Sequence, residues 1–273
     1  MLYKVEATNR RGSVLPLILD DETDGIIVND IDGLEPVKAT ISSSSFAQQD
    51  GTQYHSSRRE SRNIKIKLDL EPDFVLTSVE DLRNQLYDFF MPKTEVRLRF
   101  FMTNGLTVDI SGRIEDFVSP LFAKEPTADI SIICFDPDFV SLTPVVINGL
   151  TTSTTDEILV PYPGTVETGI LFTLNVDRPL ADFTIYHRAP NDTIRSLDFA
   201  ASLVAGDVLT ISTVQGDKRV VLTRSGTDSS LLYGKSPQSG WTELEKGDNY
   251  LRIYATGAGI PFTVSFTPRY GGL

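Results

Sequence analysis

The side chains that most often carry chemistry are few in this chain and poorly spaced for it. Its two histidines, His55 and His187, fall in different halves of the sequence. A histidine-based catalytic dyad or a two-histidine zinc site would need a pocket shared between two predicted domains. The single cysteine, Cys134, ends the apolar run Ser-Ile-Ile-Cys, a setting in which a thiol acts as a small core hydrophobe. A nucleophile would want a nearby base and partial exposure. One cysteine also excludes internal disulfides and multi-cysteine metal sites. Carboxylates are plentiful, 37 against 25 lysines and arginines, but no spacing marks a glycosidase pair. No P-loop, GxSxG or HExxH occurs. The run Asp20, Asp21, Glu22, Asp24, Asp30, Asp32 and Glu35 contains no lysine or arginine. Its start, Asp20-x-Glu22-x-Asp24-Gly25, is like a calcium loop, yet position twelve is Ile31 where a bidentate glutamate is required. It reads as a solvated, turn-rich acidic loop. The expectation is no catalytic residue, no cofactor and no metal, hence no enzyme.

Two stretches suit binding better than catalysis. Ser42 to Arg62, SSSSFAQQDGTQYHSSRRESR, is long and polar and lies between two strands of one domain, and such loops are usually functional or disordered. It ends in Arg58, Arg59 and Arg62, a basic island in an acidic half. It reads two ways: as a long hairpin whose arginines reach the acidic surface of a neighbouring copy, or as a mobile loop with solvated arginines. The only tryptophan, Trp241, lies between Tyr233 and Tyr250 in sequence. Aromatic faces can stack on sugar rings, although a lone tryptophan in a sandwich more often packs in or beside the core.

The elements that must hold these residues are mostly strands. At 273 residues, with 40% hydrophobic and 23% charged side chains, the chain suits two ordinary domains with cores of their own. The texture changes near residue 140, and the predicted division is 1–142 and 143–273. In the first part, short apolar runs at Tyr3 to Glu6, Val14 to Leu19, Gly25 to Val28 and Val37 to Ile41 suit strands. Asn63 to Leu70 alternates apolar and charged residues, which turns Ile64, Ile66, Leu68 and Leu70 inward. Ser78 to Phe90 is the one helix: Val79, Leu82, Leu86, Phe89 and Phe90 form a stripe, Ser78 and Asp81 a capping box, and Pro92 a stop. Burying that stripe is worth roughly 8–15 kcal/mol at most, so the helix docks on a sheet. Glu95 to Met102 and Leu106 to Ile114 flank Thr103-Asn104-Gly105, a hairpin signal resting on two residues that tolerate positive φ. Ala128 to Phe135 adds a strand. From Val145 only strand signals appear, at Gly169 to Val176, Ala181 to His187, Asp207 to Thr213, Arg219 to Thr223, Tyr250 to Tyr254 and Phe262 to Phe266. Asp-Lys after Gly216 and Gly-Asp before Asn249 mark hairpin turns of the kind that join antiparallel strands. The predicted fold is mainly β: a sheet-rich α+β domain with one helix, then an antiparallel β-sandwich of galectin-like or jelly-roll type.

Charge narrows the partners. The net charge is −12, with 24 acidic and 15 basic side chains in residues 1–145, which disfavours nucleic acid and anionic membranes. No run of eighteen apolar residues exists and MLYKVEATNRRG lacks a signal-peptide core, so synthesis in the cytoplasm without membrane insertion is expected.

The order of these pieces resembles the distal tail protein (Dit) family of siphophages, long-tailed bacteriophages with non-contractile tails. The residues that carry it are GLEP after Asp32, Asp50-Gly51 with Tyr54, RNIKIKL, the helix Ser78 to Phe90 and CFDPDF from Cys134 to Phe139. Later come GDVLTISTVQGDKRVVLTRSG, a Ser-Pro loop, WTELEKGDNYLRI and the end RYGGL. The resemblance implies a virion structural protein, a homo-oligomeric ring, commonly a hexamer, at the far end of the tail tube. The first domain closes the ring and the second, often galectin-like, points outward. The ring joins the tail tube protein to a tail-tip or tail-associated lysin-type protein, with DNA passing the lumen unbound. In this scheme Ser42 to Arg62 is the belt that meets a neighbour, through Arg58, Arg59 and Arg62 against Asp20, Asp21, Glu22 and Asp24. The sandwich holds a receptor-binding protein or a host glycan, for which Trp241, Tyr233 and Tyr250 are the candidate contacts. A carbohydrate-binding module for host polysaccharide is the alternative reading.

Overall fold

The computed structural model describes residues 1–19, 23–47, 50–73, 75 and 77–273. By internal contacts the chain forms two compact units, Met1–Leu142 together with Gly271–Leu273, and Thr143–Tyr270. The last three residues therefore go with the first unit, not with the sandwich as the sequence division had them.

The strands of the first unit are β1 (Leu2–Asn9), β2 (Val14–Ile18), β3 (Ile26–Asp32), β4 (Ala39–Ser44), β5 (Gln53–Arg59), β6 (Arg62–Leu70), β7 (Glu95–Met102), β8 (Thr107–Val118), β9 (Thr127–Cys134) and β10 (Phe139–Ser141). A helix, α1 (Val79–Phe90), separates β6 from β7. The main sheet runs β2-β1-β7-β8-β9-β6-β3, with β10 pairing alongside β8. Alternation decides its faces: Ile64, Ile66, Leu68 and Leu70 of β6 are buried while Lys65 and Lys67 between them are exposed, the two-sided pattern of a half-buried strand. The helix begins as expected, with the Ser78 hydroxyl and the Asp81 carboxylate capping each other's backbone amides. Its buried face consists of Leu82, Leu86, Phe89 and Phe90 and, unexpectedly, Arg83. The turn after β7 departs from the expected pair of positive φ angles. Only Gly105 has one; the Gly105 amide donates to the Met102 carbonyl and the Met102 amide to the Leu106 carbonyl, and the Asn104 side chain adds to these by accepting from the Leu106 amide at 3.0 Å.

The second unit contains β11 (Val145–Leu150), β12 (Ile158–Tyr162), β13 (Thr168–Gly169), β14 (Leu171–Asn175), β15 (Leu180–Arg188), β16 (Ile194–Leu203), β17 (Val208–Ser212), β18 (Arg219–Arg224), β19 (Thr227–Ser230), β20 (Glu243–Leu244), β21 (Gly247–Ala255) and β22 (Pro261–Phe266). They form two sheets, β11-β22-β14-β17-β18-β19 and β12-β21-β15-β16, and a short β13·β20 pair. The sheets meet through aromatic side chains: Phe172 of the first stacks on Phe183 of the second with centroids 6.1 Å apart, and Phe183 stacks in turn on Phe199 at 5.4 Å. A continuous apolar core lies between them, the expected arrangement for a sandwich. The turn before Asn249 is no hairpin, since β20 pairs with β13 and β21 with β12 and β15. Buried Asn249 shapes it by accepting from the Glu245 amide and donating to the Glu245 and Gly247 carbonyls.

Candidate functional site

Within and just before the segment Ser42 to Arg62, β4 and β5 form an antiparallel ribbon that pairs with no other strand among the described residues, while Arg62 opens β6 of the main sheet. Every residue of β5 is exposed, and so is nearly all of β4. Ile41, Phe46 and Tyr54 are 64%, 55% and 60% exposed. Alternation puts some side chains on each face of a ribbon, and here neither face is covered.

At its root, residues that look alike in sequence serve different ends. Arg58 is solvated, 4.0 Å from Glu60. Arg59 makes a bidentate pair with Asp138, a carboxylate that is itself only 2% exposed. Arg62 is buried, 1% exposed. Its Nε donates to the Pro137 carbonyl at 2.7 Å, Nη1 to the Gly33 and Glu35 carbonyls at 2.5 and 2.7 Å, and Nη2 to Gly271 at 2.6 Å. The guanidinium lies 4.4 Å from the centre of the Phe139 ring. Burial lowers its pKa, opposed by Cys134, Asp138 and Glu35. Arg62 thus makes four hydrogen bonds inside its own chain and is buried there, which corrects the expectation that it meets a neighbour. The clasp requires Gly33, whose φ is +86° and whose hypothetical Cβ would lie 2.0 Å from the Asn63 carbonyl oxygen, an arrangement only glycine permits. Asp138 and Phe139 were not singled out as binding partners, although both stand in the CFDPDF stretch.

Asp20, Asp21 and Glu22 lie outside the described residues, whereas Asp24 is exposed. No group of three or more metal-ligating side chains occurs among the described residues. His55 is exposed on the ribbon, where its Nε2 meets the Ser44 hydroxyl at 2.8 Å. His187 is fully buried in the sandwich with Nε2 3.0 Å from Asn249 Oδ1, and burial lowers its pKa. Cys134 is fully buried, and desolvation pushes its thiol up to about 11, an inert core sulfur. A shallow depression of about 660 Å³ over β6, β8 and β9 is lined by Lys65, Lys67, Glu115, Asp116 and Asp129. Lys67 there pairs with Asp30 at 3.1 Å. Nothing in it assembles a nucleophile and a base.

The three aromatic residues proposed for sugar contact do not form one platform. Trp241 is half-buried against the sandwich core with the ammonium groups of Lys235 and Lys218 over its ring, 5.3 and 6.0 Å from the centroid. Tyr250 lies under the Arg188 guanidinium at 4.0 Å. Tyr233 is 83% exposed on a short 3-10 turn, and no ring contact joins the three.

The class of this β-rich two-unit chain, a structural protein of a phage tail, comes from the proteins it is similar to. Residues 163–270 match the family model described as the C-terminal domain of a siphovirus-type tail component, and residues 21–108 match that of a phage tail protein RIFT-related domain. Together the two matches cover most of the chain and support its resemblance to the distal tail protein (Dit) family of siphophages. The Dit protein (gp 19.1) of phage SPP1, described as a hub adsorption apparatus in phages infecting Gram-positive hosts, shares the fold. Its TM-score is 0.66 at 14% identity, over 97% of this chain and 98% of that one. A chain of the phage P2 baseplate in its activated conformation with calcium aligns over 97% of both chains at 14% identity and a TM-score of 0.42, too loose a likeness to bear on the fold. No curated protein matches the sequence.

Proposed function

We propose that this protein is the ring-forming adaptor of a siphophage tail tip, commonly a hexamer, joining the tail tube protein to a tail-tip or tail-associated lysin-type protein within the virion. The observation that carries this reading is the uncovered ribbon on an ordered clasp. An isolated two-stranded hairpin is marginal in water, and a two-sided ribbon with exposed Ile41, Phe46 and Tyr54 calls for cover by another surface. In a ring of identical subunits that surface belongs to the next copy, by a head-to-tail contact that closes on itself. Arg58, solvated at the ribbon root, is the arginine free to meet a neighbour's acids, with Asp20, Asp21, Glu22 and Asp24 as their proposed source. The acidic first unit suits a lumen through which DNA slides without binding, since like charge repels phosphate. The second unit then serves receptor-binding or host-facing partners.

Negative-stain images and light scattering of the full chain test this. Rings are expected, and a chain in which Ser43–Ser56 is replaced by a short Gly-Ser turn is expected to stay monomeric while its first unit remains folded. Rings of unchanged size from that shortened chain would sink the proposal.

A further inference from the structure

The outward face of the four-stranded sheet in the second unit carries an arrangement that neither the ribbon nor the sandwich core uses. Along β15 and β21, Phe183, Ile185, His187, Leu251 and Ile253 are buried. Strand alternation therefore turns Tyr186, Arg188, Tyr250, Arg252 and Tyr254 to the opposite side. Strand register sets Tyr186 opposite Arg252 and Arg188 opposite Tyr250. In both pairs the guanidinium carbon lies 4.0 Å from the ring centroid, and cross-strand neighbours at this spacing form a rigid checkerboard.

The two arginines differ in what else they hold. Arg188 is secured by Glu157 at 2.5 Å and Asp192 at 3.1 Å. Arg252 has no carboxylate and no hydrogen-bond acceptor among the described residues, and its Nε is buried without a partner. A guanidinium has five donors in a planar fork suited to a carboxylate. Here the ring of Tyr186 holds the guanidinium and Nε is closed off, so the Nη edge of the fork, which makes no hydrogen bond among the described residues, is what remains for a partner. On the same face Leu159 of β12 stands opposite Tyr250 and Ile194 of β16 opposite Arg188, 49% and 66% exposed, and Tyr254 is 38% exposed.

We propose that this face is a docking surface for a partner protein that presents a carboxylate to Arg252. Charge complementarity selects the partner: an unpaired cation fixed on the surface of a chain of net charge −12 needs an anion from elsewhere. Two observations select a protein over a glycan. A guanidinium lies on each tyrosine ring, so neither offers that face to the C–H groups of a pyranose. Paired arginine and tyrosine with exposed Leu159 and Ile194 beside them have the composition of the centre of a protein interface. The inference rests on the adaptor reading for its setting and names the chemistry of one of the adaptor's partners.

The full chain is titrated with labelled poly-L-glutamate and, separately, with labelled polygalacturonate at low salt. Poly-L-glutamate is expected to bind, more weakly as salt rises, and Arg252→Ala to weaken it about tenfold. Arg188→Ala, which removes a guanidinium already held by Glu157 and Asp192, is expected to change it less than twofold. Trp241 fluorescence confirms that each variant's second unit is folded. The proposal is overturned if poly-L-glutamate does not bind, if Arg252→Ala leaves its binding unchanged, or if polygalacturonate binds tighter and with greater dependence on Arg252, which would assign the face to an acidic glycan. Ring images of the same variant separate the two readings. Loss of binding with rings intact supports both, whereas Arg252-dependent binding in a chain that never forms rings sinks the adaptor reading alone.

Discussion

Both units pair surface arginines with carboxylates, but the first unit also buries two arginines and the second, among the described residues, buries none. In the first, Arg62 and Arg83 are drawn inside, 1% and 6% exposed, and donate mainly to backbone carbonyls of loops distant in sequence. In the second, Arg188, Arg195 and Arg224 stay near the surface and pair with carboxylates. A buried guanidinium that satisfies several carbonyls organises loops, because each of those carbonyls would otherwise be a buried acceptor without a donor. A surface arginine adds little to stability and is available for recognition. The first unit therefore depends on single side chains for its loop geometry, and the second on the apolar layer between its sheets.

The largest break in that contrast is Arg62→Ala. It leaves the carbonyls of Gly33, Glu35, Pro137 and Gly271 without this donor and removes the cation from the Phe139 ring. The expected loss is about 3–5 kcal/mol in the first unit, read as a fall in the urea midpoint of helix ellipticity. Trp241 fluorescence, which reports the second unit, should keep its midpoint. Arg83→Ala is expected to cost less, about 2–3 kcal/mol. Its Nε donates to the Ser119 hydroxyl at 2.9 Å and its Nη2 to the Pro120 carbonyl, but Ser119 keeps its own bond to the Thr127 carbonyl at 2.7 Å. Equal losses for the two variants would show that the number of carbonyls held does not set the cost.

A third test separates the units by pH. Burial lowers the His187 pKa below its ordinary 6.5, so the unfolded chain binds more protons than the folded one below that value. The stability of the second unit is thus complete above about pH 6.5 and lost as pH falls beneath it. Cys134 behaves oppositely: burial raises its thiol from 9.0 to about 11. That contribution to the first unit is present below about pH 9 and lost as pH rises toward 11. Acid should lower the Trp241 midpoint and alkali the helix midpoint, with His187→Gln and Cys134→Ala flattening the respective arms. A His187→Gln variant with an unchanged acid arm would assign that arm to carboxylates such as Asp207, whose pKa is held down by Arg224.

Much of this was legible in the residues wherever periodicity and caps agree. NIKIKLDL and SVEDLRNQLYDFF fold as read, because alternation in one and an i, i+3, i+4 stripe with a capping box in the other each point to one structure. Ile194–Leu203 was missed as a strand: in IRSLDFAASL the inward Leu197, Phe199 and Leu203 are separated by small polar residues and alanines, and a pairing partner, not propensity, decides. β5, Gln53–Arg59, contains almost no apolar residue, so it could be read as hairpin or mobile loop until its pairing with β4 was seen. At the candidate site, charge marked the ribbon root but could not divide its arginines. Arg59 and Arg62 are committed by Asp138, Pro137 and Gly271, residues remote in sequence whose nearness only folding creates. The Tyr186–Arg252 and Arg188–Tyr250 stacks had a faint signal, since Tyr-His-Arg and Tyr-Leu-Arg repeat one spacing on two strands. Only the register reveals that they face each other.

The smallest expected effect on stability, and the sharpest for function, comes from Arg58. Its side chain is 79% exposed and among the described residues pairs only with Glu60, at 4.0 Å, so Arg58→Glu should leave both unfolding midpoints where they are, within about 0.5 kcal/mol. If Arg58 faces acids of the next copy, the same substitution sets like charges against each other at every contact of a closed ring. Small repulsions then multiply with the number of subunits, and assembly is lost although each chain is intact. Light scattering at several salt concentrations distinguishes this from a folding defect: screening should restore rings of Arg58→Glu at high salt and cannot restore those of Arg62→Ala, whose fault lies inside the chain. Rings of Arg58→Glu that form normally at low salt would remove the charge pairing and leave the apolar faces of the ribbon, Ile41, Phe46 and Tyr54, as what a neighbour must cover.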